Sequence, residues 1–219
     1  MGLLDSILGR SRPVRPDLDR LFALPAAALT LQAGTGYAPT GAGSVCFSGV
    51  EGGAFTRLKE DVRELLDVDG KAGAAPVAFS RDAYGYTWLS ARRPADDLVT
   101  LVNDLHAVNT LLQEAGFGPH LLCSLTGFRA PGTAHDLALV YLYKRGTFYP
   151  FAPRADGTEA RDNALELQVR GLLAGDLAME SDLERWFPVW GAPGLGAPGP
   201  GGAGPDGAGR GGAGPGGAG

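Results

Sequence analysis

The segment Leu137-Ala138-Leu139-Val140-Tyr141-Leu142-Tyr143 runs through Lys144-Arg145-Gly146 into Thr147-Phe148-Tyr149-Pro150-Phe151 and constrains the fold more than any other stretch. It is apolar or aromatic at odd and even positions alike, so a strand built from it needs cover on both faces. That predicts a strand at the centre of a sheet. It fixes no chemistry.

The chain has 219 residues, but its last thirty or so are almost all Gly, Ala and Pro, which leaves roughly Pro16 to Trp190 to fold. A single domain of that size buries about 70% of its unfolded surface. We divide the chain into an N-terminal amphipathic helix and basic linker (1–15), one α+β domain (16–190) and a disordered Gly/Pro/Ala-rich tail (191–219), which has too little apolar side chain to pack a core. A formal charge of -5 and a pI near 5.2 argue against a general nucleic-acid binder, which needs a basic field. Cys46 and Cys123, each among apolar neighbours, read as reduced core thiols of a cytosolic protein. No apolar run approaches the ~20 residues that cross a bilayer, and the amino terminus lacks a signal-peptide pattern, so the expected location is cytoplasmic.

Along the chain, a helical turn is expected over Asp17 to Phe22, strands over Ala28 to Ala33 and Ser44 to Phe47, and a Gly/Pro-rich loop from Gly34 to Gly43 between them. The spacing of Phe55, Leu58, Val62, Leu65 and Leu66 predicts a helix ending before Gly70. A hairpin of Val77 to Phe79 with Tyr86 to Ala91 turns at Asp82-Ala83-Tyr84-Gly85. A second helix carries Leu98, Leu101, Val102, Leu105, Val108 and Leu112, with Asp96 and Asp97 at its positive end. Strands over His120 to Phe128 and Leu137 to Lys144 precede a third helix from Glu159 to about Leu173. Two strands followed by a helix, met three times, predict an antiparallel or mixed sheet of five to six strands with helices mainly on one face. Trp186-Phe187-Pro188-Val189-Trp190 is too apolar for water and is expected to clamp onto the sheet or helices, with a partner hot spot as the alternative.

Few residues suggest chemistry. Gly34-Thr35-Gly36-Tyr37 and Gly41-Ala42-Gly43-Ser44 lack the endings of nucleotide loops and read as mobile turns. His106, His120 and His135 have no metal-ligand spacing, and Ser124 sits in no nucleophile elbow. Glu159 and Glu166 near Arg161 and Arg170 read as surface ion pairing. The candidates for partner or anion contact are Lys144, Arg145, Tyr149 and Arg154, cations beside aromatic faces; the plainer reading is a solvated hairpin turn with its rings in the core. Leu3, Leu4, Ile7 and Leu8 share one side of a short helix followed by Arg10, Arg12 and Arg15. That segment either docks on its own domain or touches membrane, with Leu3, Leu4, Ile7, Leu8, Arg10 and Arg12 as the contacts. Met-Gly-Leu-Leu-Asp-Ser also fits a myristoylation pattern, which is short and matters only in a eukaryotic host. No catalytic residue, metal site or cofactor is expected.

Taken together, Gly2 to Gly9, Asp82 to Trp88, Asp104 to Asn109, Leu121 to Leu125, Val140 to Pro153 (VYLYKRGTFYPFAP), Arg161 to Leu167 and Arg185 to Gly191 (RWFPVWG) resemble the PspAB family, the PspA-associated proteins of bacterial envelope-stress systems. The resemblance spans about residues 1 to 195. It implies an accessory to phage-shock protein A, a membrane-remodelling protein, with an HtpX-type membrane protease as a genomic associate, and it carries no catalytic residue. Three functions follow as expectations. The first is a non-enzymatic adaptor that binds a protein partner, with peripheral contact at the inner membrane face. A small-molecule or anion sensor is the second, and an uncharacterised hydrolase with a deep polar cleft near Ser124 or His106 the third.

Overall fold

The computed structural model describes residues 16–48, 52–67, 75–133, 135–156 and 158–195. The amphipathic helix and linker expected over 1–15, and the tail beyond 195, lie outside these residues. A 3-10 turn, Leu18–Ala23, leads into α1 (Leu24–Thr35), β1 (Ala38–Phe47), α2 (Gly53–Asp67), β2 (Ala75–Arg81), β3 (Thr87–Arg92), α3 (Leu98–Leu112), β4 (Leu121–Arg129), β5 (Asp136–Leu142), β6 (Thr147–Phe151) and α4 (Asn163–Leu173). The strands form one antiparallel sheet in the order β2-β3-β1-β4-β5-β6. The fold is α+β.

All four helices bury their apolar residues in the same cluster as one face of the sheet. Leu31, Val62, Leu105 and Val169, one from each helix, meet Val45, Phe47, Phe128, Leu139 and Tyr141 there. In α3, Leu98, Leu101, Val102, Leu105, Val108 and Leu112 recur at helical spacing and are buried. Asp97 is its N-cap and accepts a 3.1 Å hydrogen bond from the Thr100 amide; Asp162 caps α4 in the same way, from the Leu165 amide at 3.0 Å.

One expected strand and one expected loop need correction. Ala28 to Ala33 lies inside α1, not in a strand: Leu24, Ala27, Ala28 and Leu31 are buried at helical spacing, Pro25 occupies the first turn, and Gly36 closes the helix in the left-handed conformation with φ of 79°. The stretch expected to loop from Gly34 to Gly43 is the end of α1 and the first half of β1. It holds as a strand because β4 pairs with Ala38 and Pro39 and β3 joins from Ala42, while the positive φ of Gly41 (71°) takes up the register shift between Pro39 and Gly43. The two glycine clusters are thus a helix end and a central strand, not mobile turns.

The Leu137 run is β5, second from the edge and not central. Both its faces are nonetheless covered. Leu137, Leu139 and Tyr141 face the helices, while Ala138, Val140 and Leu142 lie in a second cluster with Trp186, Val189, Ala192 and Leu195. After α4 the chain leaves Leu177 and Met179 with the helix-side cluster, and its continuation through Trp186, Val189, Ala192 and Leu195 straps the opposite side of the sheet. It also caps the β6 edge, where Phe148 donates to Ala178 O (2.9 Å) and accepts from the Glu180 amide (2.7 Å).

Candidate functional site

The strap is held by buried polar groups that the sequence presents as surface charge. Glu166 is only 2% exposed, and its carboxylate accepts from the Ala152 amide (2.8 Å) and Arg161 Nε (2.9 Å). This corrects the reading of surface ion pairing. Burial pushes the Glu166 carboxyl above its ordinary pKa, against the pull of Arg161 and the Ala152 amide. Arg161 also donates from Nη1 to Trp186 O (2.5 Å), and so ties α4 to the strap.

Further along, Tyr149 OH donates to Phe187 O (2.8 Å), Trp186 stacks on Tyr149 with centroids 5.9 Å apart, and Trp190 meets Phe151 edge-on at 4.9 Å. Gly127 in β4 allows the end of the strap to lie against the sheet, since a Cβ there would stand 2.6 Å from Gly194 O. Of the expected aromatic clamp, Trp186 is buried and Trp190 half-buried, but the Phe187 ring is 59% exposed.

Between the strap and the β2–β3 turn the sheet opens into a cleft of about 610 Å³. Its floor is Cys46, Trp88, Cys123, Leu142 and Tyr149, with Val189 as one wall. Its mouth carries Tyr84 (63% exposed), Tyr86 (42%) and Phe187, with Lys144, Arg145 and Arg185 as cations and Asp82 as the one carboxylate. The Asp82 carboxylate is occupied: Oδ1 accepts from the Tyr84 and Tyr86 amides, each at 2.9 Å, and Oδ2 from Trp88 Nε1 at 2.8 Å. Arg145 lies 3.4 Å from Glu180, and Arg185 lies 2.7 Å from Asp182. Lys144 is exposed and pairs with no acid among the described residues.

Cys46 and Cys123 face each other in register across β1 and β4, both free and buried. The hydrogen bond to the Cys123 side chain, then burial, pushes the Cys46 thiol well above its ordinary pKa; burial does the same to Tyr149. At neutral pH both are protonated, which suits a floor that packs and not one that attacks.

A family model described as PspAB, PspA associated protein B, matches residues 1–194. The chain belongs to this family. No curated protein and no solved structure matches it. Within the PspAB chain, then, the cleft gathers Lys144, Arg145 and Tyr149, while Arg154 lies apart, on a shallow groove of about 240 Å³ with Tyr37, His135 and Asp162. The rings of Phe148, Tyr149 and Phe151 are in the core, as the plainer reading of that hairpin has it. Leu3, Leu4, Ile7, Leu8, Arg10 and Arg12 lie outside the described residues.

The geometry a hydrolase would need is absent at the two residues named for it. Ser124 is sealed beneath α3 and accepts from Asn109 Nδ2 (2.8 Å), while His106 turns outward, 3.3 Å from Asp19 and stacked on Phe22. Among the described residues no three His, Cys, Asp or Glu side chains gather as metal ligands, and no helix is long and apolar enough to cross a membrane.

The opposition of Cys46 and Cys123 and the parts played by Trp88, Tyr84 and Tyr86 escape sequence reasoning, because they depend on which strands pair. One signal was available. An Asp four and six residues ahead of Tyr86 and Trp88 in a hairpin turn is placed to bind both.

Proposed function

We propose that this PspAB-family protein is a non-enzymatic accessory to a PspA-type membrane-remodelling protein in the envelope-stress response, and that it acts by binding a protein partner at the mouth of the cleft. The observation that carries this reading is the collar itself. Tyr84, Tyr86 and Phe187 stand out into solvent around a concave apolar floor, beside Lys144, Arg145 and Arg185. Exposed aromatic rings with neighbouring arginines over a pocket are the usual composition of an interface hot spot. Arg145 and Arg185 are paired with Glu180 and Asp182, which leaves Lys144, among the described residues, as the rim cation open to an acidic group on a partner segment that supplies an apolar anchor.

In this reading the protein is cytoplasmic and comes to the inner membrane face through residues 1–15, with Leu3, Leu4, Ile7 and Leu8 inserted and Arg10 and Arg12 toward anionic headgroups. The test pairs the purified full-length chain with the PspA-type protein of the same genome in a titration calorimeter. Phe187→Ala and Tyr86→Ala should each weaken binding by about tenfold or more. Binding that ignores both variants places the partner elsewhere. Deleting residues 1–15 should abolish flotation with anionic liposomes and leave partner binding intact.

A further inference from the structure

We propose that the cleft beneath the collar is a binding site for a free long-chain carboxylate, a single acyl chain with an anionic head. The proposal deepens the reading above and rests on its choice of the strap side as the binding face.

The two strong donors of the floor, Tyr149 OH and Trp88 Nε1, are already spent inside the protein. Tyr149 OH is given to Phe187 O and Trp88 Nε1 to Asp82, and the two remaining polar side chains, the buried thiols of Cys46 and Cys123, face each other and are only weak hydrogen-bonding groups. A sugar, nucleotide or other polar ligand would lose its hydrogen bonds to water at this floor and regain only weak ones, which costs free energy for each group buried. Hydrocarbon has nothing to lose there, and the walls of Leu142, Val189 and the Trp88 ring give it apolar contact throughout.

The size agrees. At about 610 Å³ the cleft falls within the roughly 300–1,000 Å³ of small-molecule sites. Charge then orients the chain. The mouth holds Lys144, Arg145 and Arg185 against Asp82, whose carboxylate already accepts three hydrogen bonds. Arg145 and Arg185 each have an acid beside them, but Lys144 is exposed and unpaired among the described residues, so its ammonium is the one cation at the rim with no competitor for an incoming carboxylate. The acyl chain lies along the floor with its head at Lys144, and the ligand bridges β5 to the strap.

Two tryptophans, Trp88 and Trp190, line the cleft and report on it directly. The test titrates the full-length protein with palmitate below its micelle concentration and follows tryptophan emission and melting temperature. A saturable change in emission with a rise in melting temperature is expected. Hexadecanol, which keeps the chain without the charge, and butyrate, which keeps the charge with little chain, should each bind at least about tenfold more weakly. Lys144→Glu, a change at an exposed side chain that leaves the core intact, should weaken palmitate binding by about tenfold and hexadecanol hardly at all. The proposal is overturned by the absence of a saturable change, by equal binding of palmitate and hexadecanol that ignores Lys144→Glu, or by binding to phosphatidylglycerol vesicles without binding to free palmitate. Partner capture with Phe187→Ala, measured without added palmitate, stands or falls separately.

Discussion

Cys46 and Cys123 occupy the same rung of the β1–β4 ladder on the sheet face that carries the cleft. The pair is buried, free and, at Cys46, pushed away from the thiolate form that nucleophilic chemistry requires. In the native protein at neutral pH, iodoacetamide should therefore label neither cysteine on the timescale on which it labels a model thiol, and both should react fully in denaturant. Rapid native labelling, read by intact-mass spectrometry, would show the floor to be open and reactive.

Glu166 joins α4 to the end of β6 directly and to the strap through Arg161. Glu166→Ala leaves the Arg161 guanidinium, only 18% exposed, and the Ala152 amide without their acceptor. Removing one partner of such a buried pair costs about 3–5 kcal/mol. Urea denaturation should show a loss of that order, whereas Glu159→Ala, at an exposed position, should change little.

The strap has an acid-sensitive fastening at Glu180, whose carboxylate accepts from Thr147 Oγ1 (2.8 Å), the Asp182 amide (3.1 Å) and Arg145 Nε (3.4 Å). Burial pushes its pKa up, but these three donors together hold it below the ordinary 4.5. The folded protein thus binds the proton less readily than the unfolded chain. Its contribution is complete above pH 4.5 and is lost as the pH falls through the lower native value. Glu166 runs the other way, its pKa being raised, so its contribution is largest in acid and shrinks as pH rises past the ordinary carboxylate range. Global stability blends the two. Emission from Trp186, whose Nε1 donates to Glu180 O, reports the strap, and it should change in acid with a midpoint below 4.5 in the wild type and lose that transition in Glu180→Gln.

Gly127→Ala tests whether the strap end needs a bare backbone to lie on. The new Cβ would stand 2.6 Å from Gly194 O and 2.8 Å from Thr40 Oγ1, the first a backbone atom that moves only with its chain. Overpacking of this kind costs about 1–3 kcal/mol. The expected outcome is a lower melting temperature together with faster proteolysis between Val189 and Leu195, compared with an unchanged pattern for Gly171→Ala, where a Cβ meets nothing.

How much of this was legible in the sequence follows from which forces are local. The helices α2 and α3, the β2–β3 hairpin and the end of α4 read correctly because apolar spacing lies within a few positions; α4 starts at Asn163 and not at Glu159, since Asp162 caps it there. Ala28 to Ala33 misled because Leu29 and Leu31 alternate as in a strand; Leu29 is 71% exposed, and the apolar positions that count are Leu24, Ala27, Ala28 and Leu31. The opening half of β1 was missed because Pro39, Gly41 and Gly43 are poor strand formers; β4 pairs on either side of the irregularity at Gly41, and β3 joins only from Ala42. The two-faced burial of β5 was readable, but a covered second face can come from a C-terminal strap as well as from a central position. The candidate site divides along the same line. Lys144, Arg145 and Tyr149 are neighbours in sequence and were found; Cys46 with Cys123, and Tyr86 with Phe187, are brought together only by strand order and the strap.

The most direct measurement is calorimetric titration of the full-length chain with the purified PspA-type protein of its own genome, repeated with Phe187→Ala, Tyr86→Ala and Lys144→Glu, each checked for wild-type melting temperature. Binding at the collar predicts a saturable isotherm that each variant weakens by about tenfold. An isotherm that all three variants leave unchanged, or no binding by the wild type, would contradict it.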